Sequence, residues 1–406
     1  GKLKIVIITE NFLPKTDGVT RTLFMLLSHL KSRGHKVLVI GPSGGTVHYE
    51  YMGTLGIPLS LFNIYGEGLK LNFFTPSMIR RMRAFGPDVI HFVDPIWLGV
   101  QTIPFVRRAF PNIPLIGSYH TNIATYLQLF GMPRMNGLCW SLQKWVYQTL
   151  SLTLVPSAST AQVLSERGIS PHNLRIWSRG VYTKIFSPSR RSLSRRTKWF
   201  SSSFSSTSQS GTVLLYVGRL SWEKNLRLLI EAFRLLSSSL SQNDLRLVLV
   251  GDGPAREGME ALCVEFGLQE KVTFEGFKKG EELAEIYASS DIFAFPSWTE
   301  TFGQVVLEAQ ASGLPVVGLC AEGVKDLISR ERGLLLNLPE TEFLPGLFKP
   351  ESSTFLPLAS EYASLCRELI EDSPRRQRMG KLAAEFAATM TWERCMDTVI
   401  EGYRQV

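Results

Sequence analysis

The residues whose types and spacing suggest chemistry lie in "PSWTETFGQVVLEAQASGLPVV", 296–317. There Glu300 and Glu308 stand eight positions apart around Gly303 and a run of aliphatics. Two carboxylates so placed are open to three readings: an acid–base pair, a metal site, or a hold on a ligand. A strand ending near Pro296, then a helix starting near Phe302 and Gly303, puts Glu300 in a strand-to-helix loop. Glu308 then falls about one and a half turns into the helix. The helix start offers unsatisfied amides at Gly303 to phosphate or sugar oxygens. Glu308 sits among Val305, Val306 and Leu307, so burial and a partner are expected. That partner is either a ribose diol or an internal salt bridge.

A second group lies in "YVGRLSWEKN", 216–225. A strand ends at Gly218, Arg219 follows, and Lys224 is expected to open the next helix. Two cations at the carboxyl edge of a parallel sheet suit a diphosphate; a solvated surface pair is the plainer reading. "VGDGP", 250–254, gives another strand-end turn at Gly251. In the first half, Gly18 of "TDGVTRT" marks a strand-to-helix turn and His120 of "SYHT" a strand end. His120 is either a structural histidine or a site residue.

The elements that must position these groups repeat. "LKIVIIT" (3–9), "KVLVIG" (36–41), "DVIHFV" (88–93), "PLIGSYH" (114–120) and "SLTLVPSA" (151–158) are apolar, β-branched runs suited to strands covered on both faces. Leu23, Leu26, Leu27 and Leu30 share one face of a helix that stops at Gly34. The pattern restarts with strands at 210–218, 245–253, 271–277, 291–296, 314–319 and 333–337, and helices at 225–237, 254–266, 280–289 and 304–312. The fold class is therefore α/β, with two successive doubly wound units. "SPSRRSLSRRTKWFSSSFSSTSQSG", 187–211, is serine- and arginine-rich without a period. It is expected to be a flexible surface insertion, with binding of acidic lipid headgroups as the sharper alternative. Residues 338–357 look like a second extension, and the last segment is helical.

The composition, 406 residues with 44% hydrophobic and 20% charged, is that of an ordinary globular chain. Net charge is +8, which suits a phosphate-bearing partner or an anionic membrane. No zinc-finger spacing or aromatic–basic repeat argues for nucleic acid, so none is expected. Five scattered cysteines without a CxxC pair suit a reducing compartment. No run reaches the roughly 18 apolar residues of a membrane span. Cytoplasm or an organelle stroma is expected, with a removed targeting segment left open.

Taken together, Gly18, His120, Arg219 with Lys224, and Glu300 eight before Glu308 resemble glycosyltransferase family 4 over nearly the whole chain. That resemblance implies a retaining, metal-independent enzyme of the GT-B architecture, with two Rossmann-like domains facing a central cleft. The domains would be 1–180 (acceptor side), 181–388 (nucleotide sugar) and a helix at 389–406 that crosses back onto the first. By the same resemblance the Gly18 amide lies near the donor phosphate and His120 touches the donor sugar near its 6-position. Gly218, Arg219 and Lys224 hold the diphosphate, with Gly251 nearby. Glu300 orients sugar hydroxyls, Glu308 binds the ribose, and Phe302 and Gly303 complete that turn. The backbone at Gly276 and Phe277 resembles the nucleobase pocket.

"DVIHFVDPIWLGV", "GSYHTNIATYL" and "LRIWSRGV" are similar to segments of sulfoquinovosyltransferases and related lipid mannosyltransferases. This implies transfer from a UDP-linked sugar, with UDP-sulfoquinovose as a candidate, to a lipid such as diacylglycerol. A GDP-mannose-dependent α-mannosyltransferase on a glycolipid, a nucleotide-sugar 2-epimerase and an inactive binding protein are the alternatives. Arginines beside apolar residues in "MIRRMRAF" and "FVRRAF" fit either peripheral docking on anionic lipid or a solvated basic face. Two residues depart from the family pattern: Tyr182 replaces the usual Asp after Gly-Val, and Glu322 replaces a common glycine in "AEGV".

Overall fold

The computed structural model describes residues 1–10, 18–42, 49–58, 70–122, 133–201, 210–341 and 344–406. Its strands are β1 (Lys4–Thr9), β2 (Lys36–Gly41), β3 (Glu50–Gly53), β4 (Leu55–Pro58), β5 (Lys70–Phe73), β6 (Val89–Val93), β7 (Leu115–Ser118), β8 (Leu152–Val155) and β9 (Leu174–Ile176) in the first half. The second half carries β10 (Thr212–Val217), β11 (Leu245–Val250), β12 (Val272–Gly276), β13 (Ile292–Phe295), β14 (Val316–Leu319) and β15 (Gly333–Leu336). Among the described residues, one compact unit comprises those up to Arg179 together with Trp392–Val406; the other contains Gly180–Thr391.

The first unit holds a seven-stranded sheet ordered β3-β2-β1-β6-β7-β8-β9, parallel throughout. Strand alternation explains its apolar runs. Ile5 and Ile7 of β1 face a core with Leu23, Leu26 and Leu27, while Val6 and Ile8 face one with Met78, Met82 and Phe92. Leu23, Leu26, Leu27 and Leu30 are all buried on helix Gly18–Ser32, as the leucine spacing requires. The last helix, Trp392–Gln405, completes this face with Trp392, Met396, Val399, Ile400 and Tyr403. His29 meets Asp397 at 2.8 Å, and Arg33 meets both Glu393 (3.1 Å) and Asp397 (3.0 Å), fixing that helix to Gly18–Ser32. The small β4–β5 antiparallel pair was not legible in the sequence pattern.

The second unit holds a six-stranded parallel sheet ordered β12-β11-β10-β13-β14-β15. The expectation of a flexible insertion at 187–211 is corrected over its described part. Residues Leu193–Trp199 form a helix, and Trp199 and Phe200 enter the second unit's core. Arg196 is buried: its guanidinium meets Asp291 at 2.9 Å and donates to the Ser289 carbonyl at 2.9 Å. These acceptors satisfy the charge that made the segment look solvated. Residues 202–209 of that segment lie outside the described residues. In the second extension, helices Leu344–Leu347 and Phe355–Glu371 replace an unbroken loop.

Candidate active site

In the second sheet the strand order reverses between β10 and β13, and the crevice beyond the carboxyl ends of such strands is where open α/β sheets bind ligands. Gly218 and Arg219 follow β10, and Ser297 to Glu300 follow β13, so the two sequence motifs become neighbours. Lys224 Nζ lies 2.9 Å from Glu300 Oε1 and 3.1 Å from Thr299 Oγ1. Ser297 Oγ donates to Glu300 Oε1 at 3.4 Å and lies 3.2 Å from Thr299 Oγ1. Lys224 does not open the helix. Trp222–Lys224 is a 3-10 turn, Asn225 takes a left-handed conformation (φ 62°), and helix Leu226–Ser239 follows. Asn225 Nδ2 donates to the Pro296 carbonyl at 3.1 Å, which ties this turn to the end of β13 and sets Lys224 beside Glu300.

Arg219 is exposed, and no carboxylate among the described residues pairs with it. The Gly218 amide donates to the Val250 carbonyl at 3.0 Å and the Gly251 amide to the Gly276 carbonyl at 2.8 Å, so the ends of β10, β11 and β12 lie together. Phe277, just past Gly276, is 68% exposed.

Helix Gln304–Ala311 starts where the sequence pattern places it, with Gly303 as its N-cap at φ 94°, a conformation open to glycine. Phe302 is buried beneath this turn. Glu308 is 5% exposed, as its aliphatic neighbours imply, and accepts a hydrogen bond from the Tyr287 hydroxyl at Oε2 (3.1 Å). The loop of Glu322 abuts the loop of Glu300: at Gly323 (φ 79°) a Cβ would stand 2.7 Å from the Glu300 carbonyl oxygen.

In the first sheet the reversal falls between β1 and β6. Glu10 follows β1 and accepts amide hydrogen bonds from Ile96 (2.7 Å), Trp97 (2.5 Å) and Leu98. Burial pushes its carboxyl up to about 7, against the pull of those amides. Asp94 follows β6 with φ 49° and accepts from the amides of His120 (3.1 Å) and Thr121 (3.2 Å). Those bonds hold the turn that carries His120. Both His120 ring nitrogens have protein partners, Arg179 at Nδ1 (3.0 Å) and Ser118 at Nε2 (2.8 Å). Burial first, then the charge of Arg179, drives the imidazole well below its ordinary value, so the ring is neutral. Gly18 begins helix Gly18–Ser32, and among the described residues nothing lies within 4 Å of where its Cβ would stand; the rest of its turn, 11–17, lies outside the described residues.

Sequence reasoning missed Asn225, Thr299, Tyr287, Asp94, Glu10 and Arg179. The signal for Glu10 and Asp94 was available: each is the first acidic residue after an apolar strand, at the edge where ligands bind. Among the described residues no cluster of three or more His, Cys, Asp or Glu side chains has the arrangement of a metal site.

Two doubly wound parallel units, with a basic and carboxylate cluster at a strand-order reversal, define a GT-B glycosyltransferase. The described fold is that of HepE from Anabaena in complex with UDP (TM-score 0.74, 18% identity, 100% of each chain) and of sucrose-phosphate synthase from Thermosynechococcus elongatus (TM-score 0.73, 21% identity, 100% of this chain and 99% of that one). At those identities the likeness speaks for the fold alone. The Glycosyltransferase Family 4 model matches residues 16–185 and the Glycosyl transferases group 1 model residues 198–343. A GDP-mannose-dependent alpha-mannosyltransferase of Corynebacterium glutamicum is 32% identical over 415 residues, covering 100% of this chain and 89% of the relative. Sulfoquinovosyl transferase SQD2 of Arabidopsis thaliana is 29% identical over 375 residues, 90% of this chain and 66% of the relative. The chain belongs to glycosyltransferase family 4 and is a hexosyltransferase.

Proposed function

We propose that this enzyme moves a hexosyl group, with retention, from a nucleotide-diphosphate sugar to a lipid-borne hydroxyl at a membrane surface. The observation that carries the donor half is the Lys224–Glu300 pair beside Arg219 at the β10–β13 reversal. In this reading Arg219 and Lys224 receive the diphosphate, with the helix start at Gly303 behind it. Glu300, released from Lys224 by the incoming phosphates, orients sugar hydroxyls. Glu308 accepts from the ribose while Tyr287 steadies its other side. Phe277 and the turn at Gly276 form the wall of the base pocket. As the bond to the diphosphate lengthens, positive charge develops on the sugar and negative charge on the phosphate, which the two cations stabilise. The acceptor oxygen attacks from the leaving-group face, and the departing phosphate takes its proton. No metal is assigned a part in this; chelation with EDTA is expected to leave turnover unchanged, and its loss would overturn that point.

The lipid half is supported by the surface of the first unit. Met135, the N-cap of helix Asn136–Gln148, and Leu138, Leu142 and Trp145 along that helix recur at intervals of three, four and three, and all four are exposed. No Asp or Glu occurs between Asp94 and Glu166, whereas Arg107, Arg108, Arg134 and Lys144 do. An exposed apolar stripe in a stretch of chain with basic but no acidic residues suits anionic lipid. The arginine-bearing helix Pro76–Phe85 suits it less, because Met78, Met82 and Phe85 point into the core. No helix among the described residues is long and apolar enough to cross a membrane.

For the donor, two readings remain distinct. Whole-length identity to a GDP-mannose-dependent relative favours GDP-mannose. The segments shared with sulfoquinovosyltransferases favour a UDP-linked sugar, UDP-sulfoquinovose included. A panel of UDP- and GDP-sugars against diacylglycerol and glycolipid vesicles, with the product anomer read by NMR, decides between them. Epimerised sugar formed without acceptor would replace transfer by 2-epimerisation, and a panel without any product would leave a binding protein.

A further inference from the structure

A chain of hydrogen bonds runs through the first unit and is used by nothing assigned so far. Arg179 Nη2 lies 3.0 Å from His120 Nδ1, and His120 Nε2 lies 2.8 Å from Ser118 Oγ. Ser118 Oγ lies 2.7 Å from His91 Nε2, and His91 Nδ1 lies 2.7 Å from the Tyr403 hydroxyl. All five side chains are buried. The sheet builds the middle of the chain, because β6 and β7 pair with Val93 opposite Ser118, which brings His91 and Ser118 onto adjacent strands. The ends come from elsewhere: Arg179 follows β9 and Tyr403 lies on helix Trp392–Gln405.

The direction of the first link is fixed by chemistry. A guanidinium has donors only, so His120 Nδ1 must accept. The proton of a neutral His120 therefore sits on Nε2 and is donated to Ser118 Oγ. Arg179 is itself fixed. It donates to the Trp177 carbonyl at 2.8 Å, its guanidinium lies 4.7 Å from the Trp177 ring centroid, and the adjacent Ser178 carbonyl accepts from Cys395 Sγ at 2.6 Å. Cys395 and Tyr403 both belong to the last helix, which thus grips the surroundings of His120 at both ends. Asp94 also faces this turn, and its carboxylate takes the His120 amide.

We propose that Arg179, Ser118, His91 and Tyr403 are positioning residues: they hold His120 as the neutral Nε2–H tautomer in one orientation, and through them the last helix sets the ligand-binding edge of the first unit. The inference rests on the reading that His120 lies at the bound substrate. Burial and the nearby charge of Arg179 keep the ring uncharged, so His120 presents a fixed, neutral surface and is neither an acid nor a base.

The test uses the full-length chain labelled with 15N-histidine. Its NMR spectrum is expected to show His120 protonated on Nε2 alone. Ser118→Ala removes the acceptor of the Nε2 proton and is expected to shift the His120 Nε2–H signal and loosen the ring's orientation while Arg179 keeps the tautomer. Ser118→Thr restores the hydroxyl and the signal. Arg179→Met removes the donor at Nδ1 and is expected to mix the tautomers. Transfer is expected to follow: kcat about tenfold lower in Ser118→Ala with donor KM little changed, and recovered in Ser118→Thr. Tyr403→Phe, checked for folding by its melting temperature, is expected to perturb the His91 signals and lower kcat in the same sense. Ring signals that do not respond to Ser118→Ala overturn the relay. Ring signals that respond while transfer is unaffected overturn the placement of His120 at the substrate, and with it the relay's part in the reaction.

Discussion

Lys224 holds a charge that the resting protein already employs. Its ammonium is bound to Glu300 and Thr299, whereas Arg219 stands in solvent. On the function proposed above, a diphosphate entering here would replace one anionic partner of Lys224 by another and gain Arg219 outright. On that proposal, removing Lys224 would take away a contact that strengthens as the leaving group gains charge. Lys224→Ala is expected to lower turnover at saturating donor by about 100-fold, on the order of 3 kcal/mol of barrier; unchanged turnover would remove the diphosphate role. Glu10 offers a second test at this scale. Its carboxyl is raised from 4.5 to about 7, so the folded protein binds a proton that the unfolded chain has lost. The stability it contributes is present below about pH 4.5 and disappears as pH rises through about 7. Glu10→Gln, which keeps an acceptor without the charge, should flatten that decline. Melting temperatures of the two proteins at about pH 5 and pH 8 measure it.

Among the elements, helix Leu193–Trp199 shows where local composition misleads. A run of serines and arginines reads as solvated chain because the partner of Arg196 is Asp291, 95 positions away. Nothing within the segment announces that acceptor; only Trp199 and Phe200, both buried in the second unit, hinted at a packed surface. Arg196→Ala leaves Asp291 without its most buried cation and is expected to destabilise the protein by about 3–5 kcal/mol, seen as a lower urea midpoint. The parallel strands were legible for the opposite reason. A strand covered on both faces is apolar at consecutive positions, and that signature needs no knowledge of the partner strand. The placement of Glu300 in a loop and of Glu308 on a buried helix was likewise legible, because one strand-to-helix turn sets both. Lys224 beside Glu300 was not, since their contact depends on β10 and β13 being neighbours and on Asn225 turning the chain. The His91–Ser118 contact is of the same kind: a histidine inside "DVIHFV" reads as a core residue until the order of the strands is known.

For the molecule as a whole, a net charge of +8 and the stripe Met135–Leu138–Leu142–Trp145 make one prediction. The protein should float with vesicles containing anionic lipid, and less so as salt is raised. Leu138→Asp with Trp145→Asp should abolish flotation and lower transfer to vesicle-borne acceptor, while transfer to a short-chain soluble acceptor is retained. Flotation of the double variant at wild-type level would remove this face from the membrane.

Helix Trp392–Gln405 closes a core whose other members lie among the first 180 residues. During synthesis those early strands leave the ribosome with that face unsealed, and more than two hundred residues must follow before Trp392, Val399 and Tyr403 arrive to cover it. The intervening unit, Gly180–Thr391, contains its own sheet and core and can mature during that wait. The unit begun first is therefore the one finished last. A nascent chain arrested before residue 392 would carry an exposed apolar surface for chaperones to hold, and the histidine turn would acquire its final geometry only once the closing helix has docked.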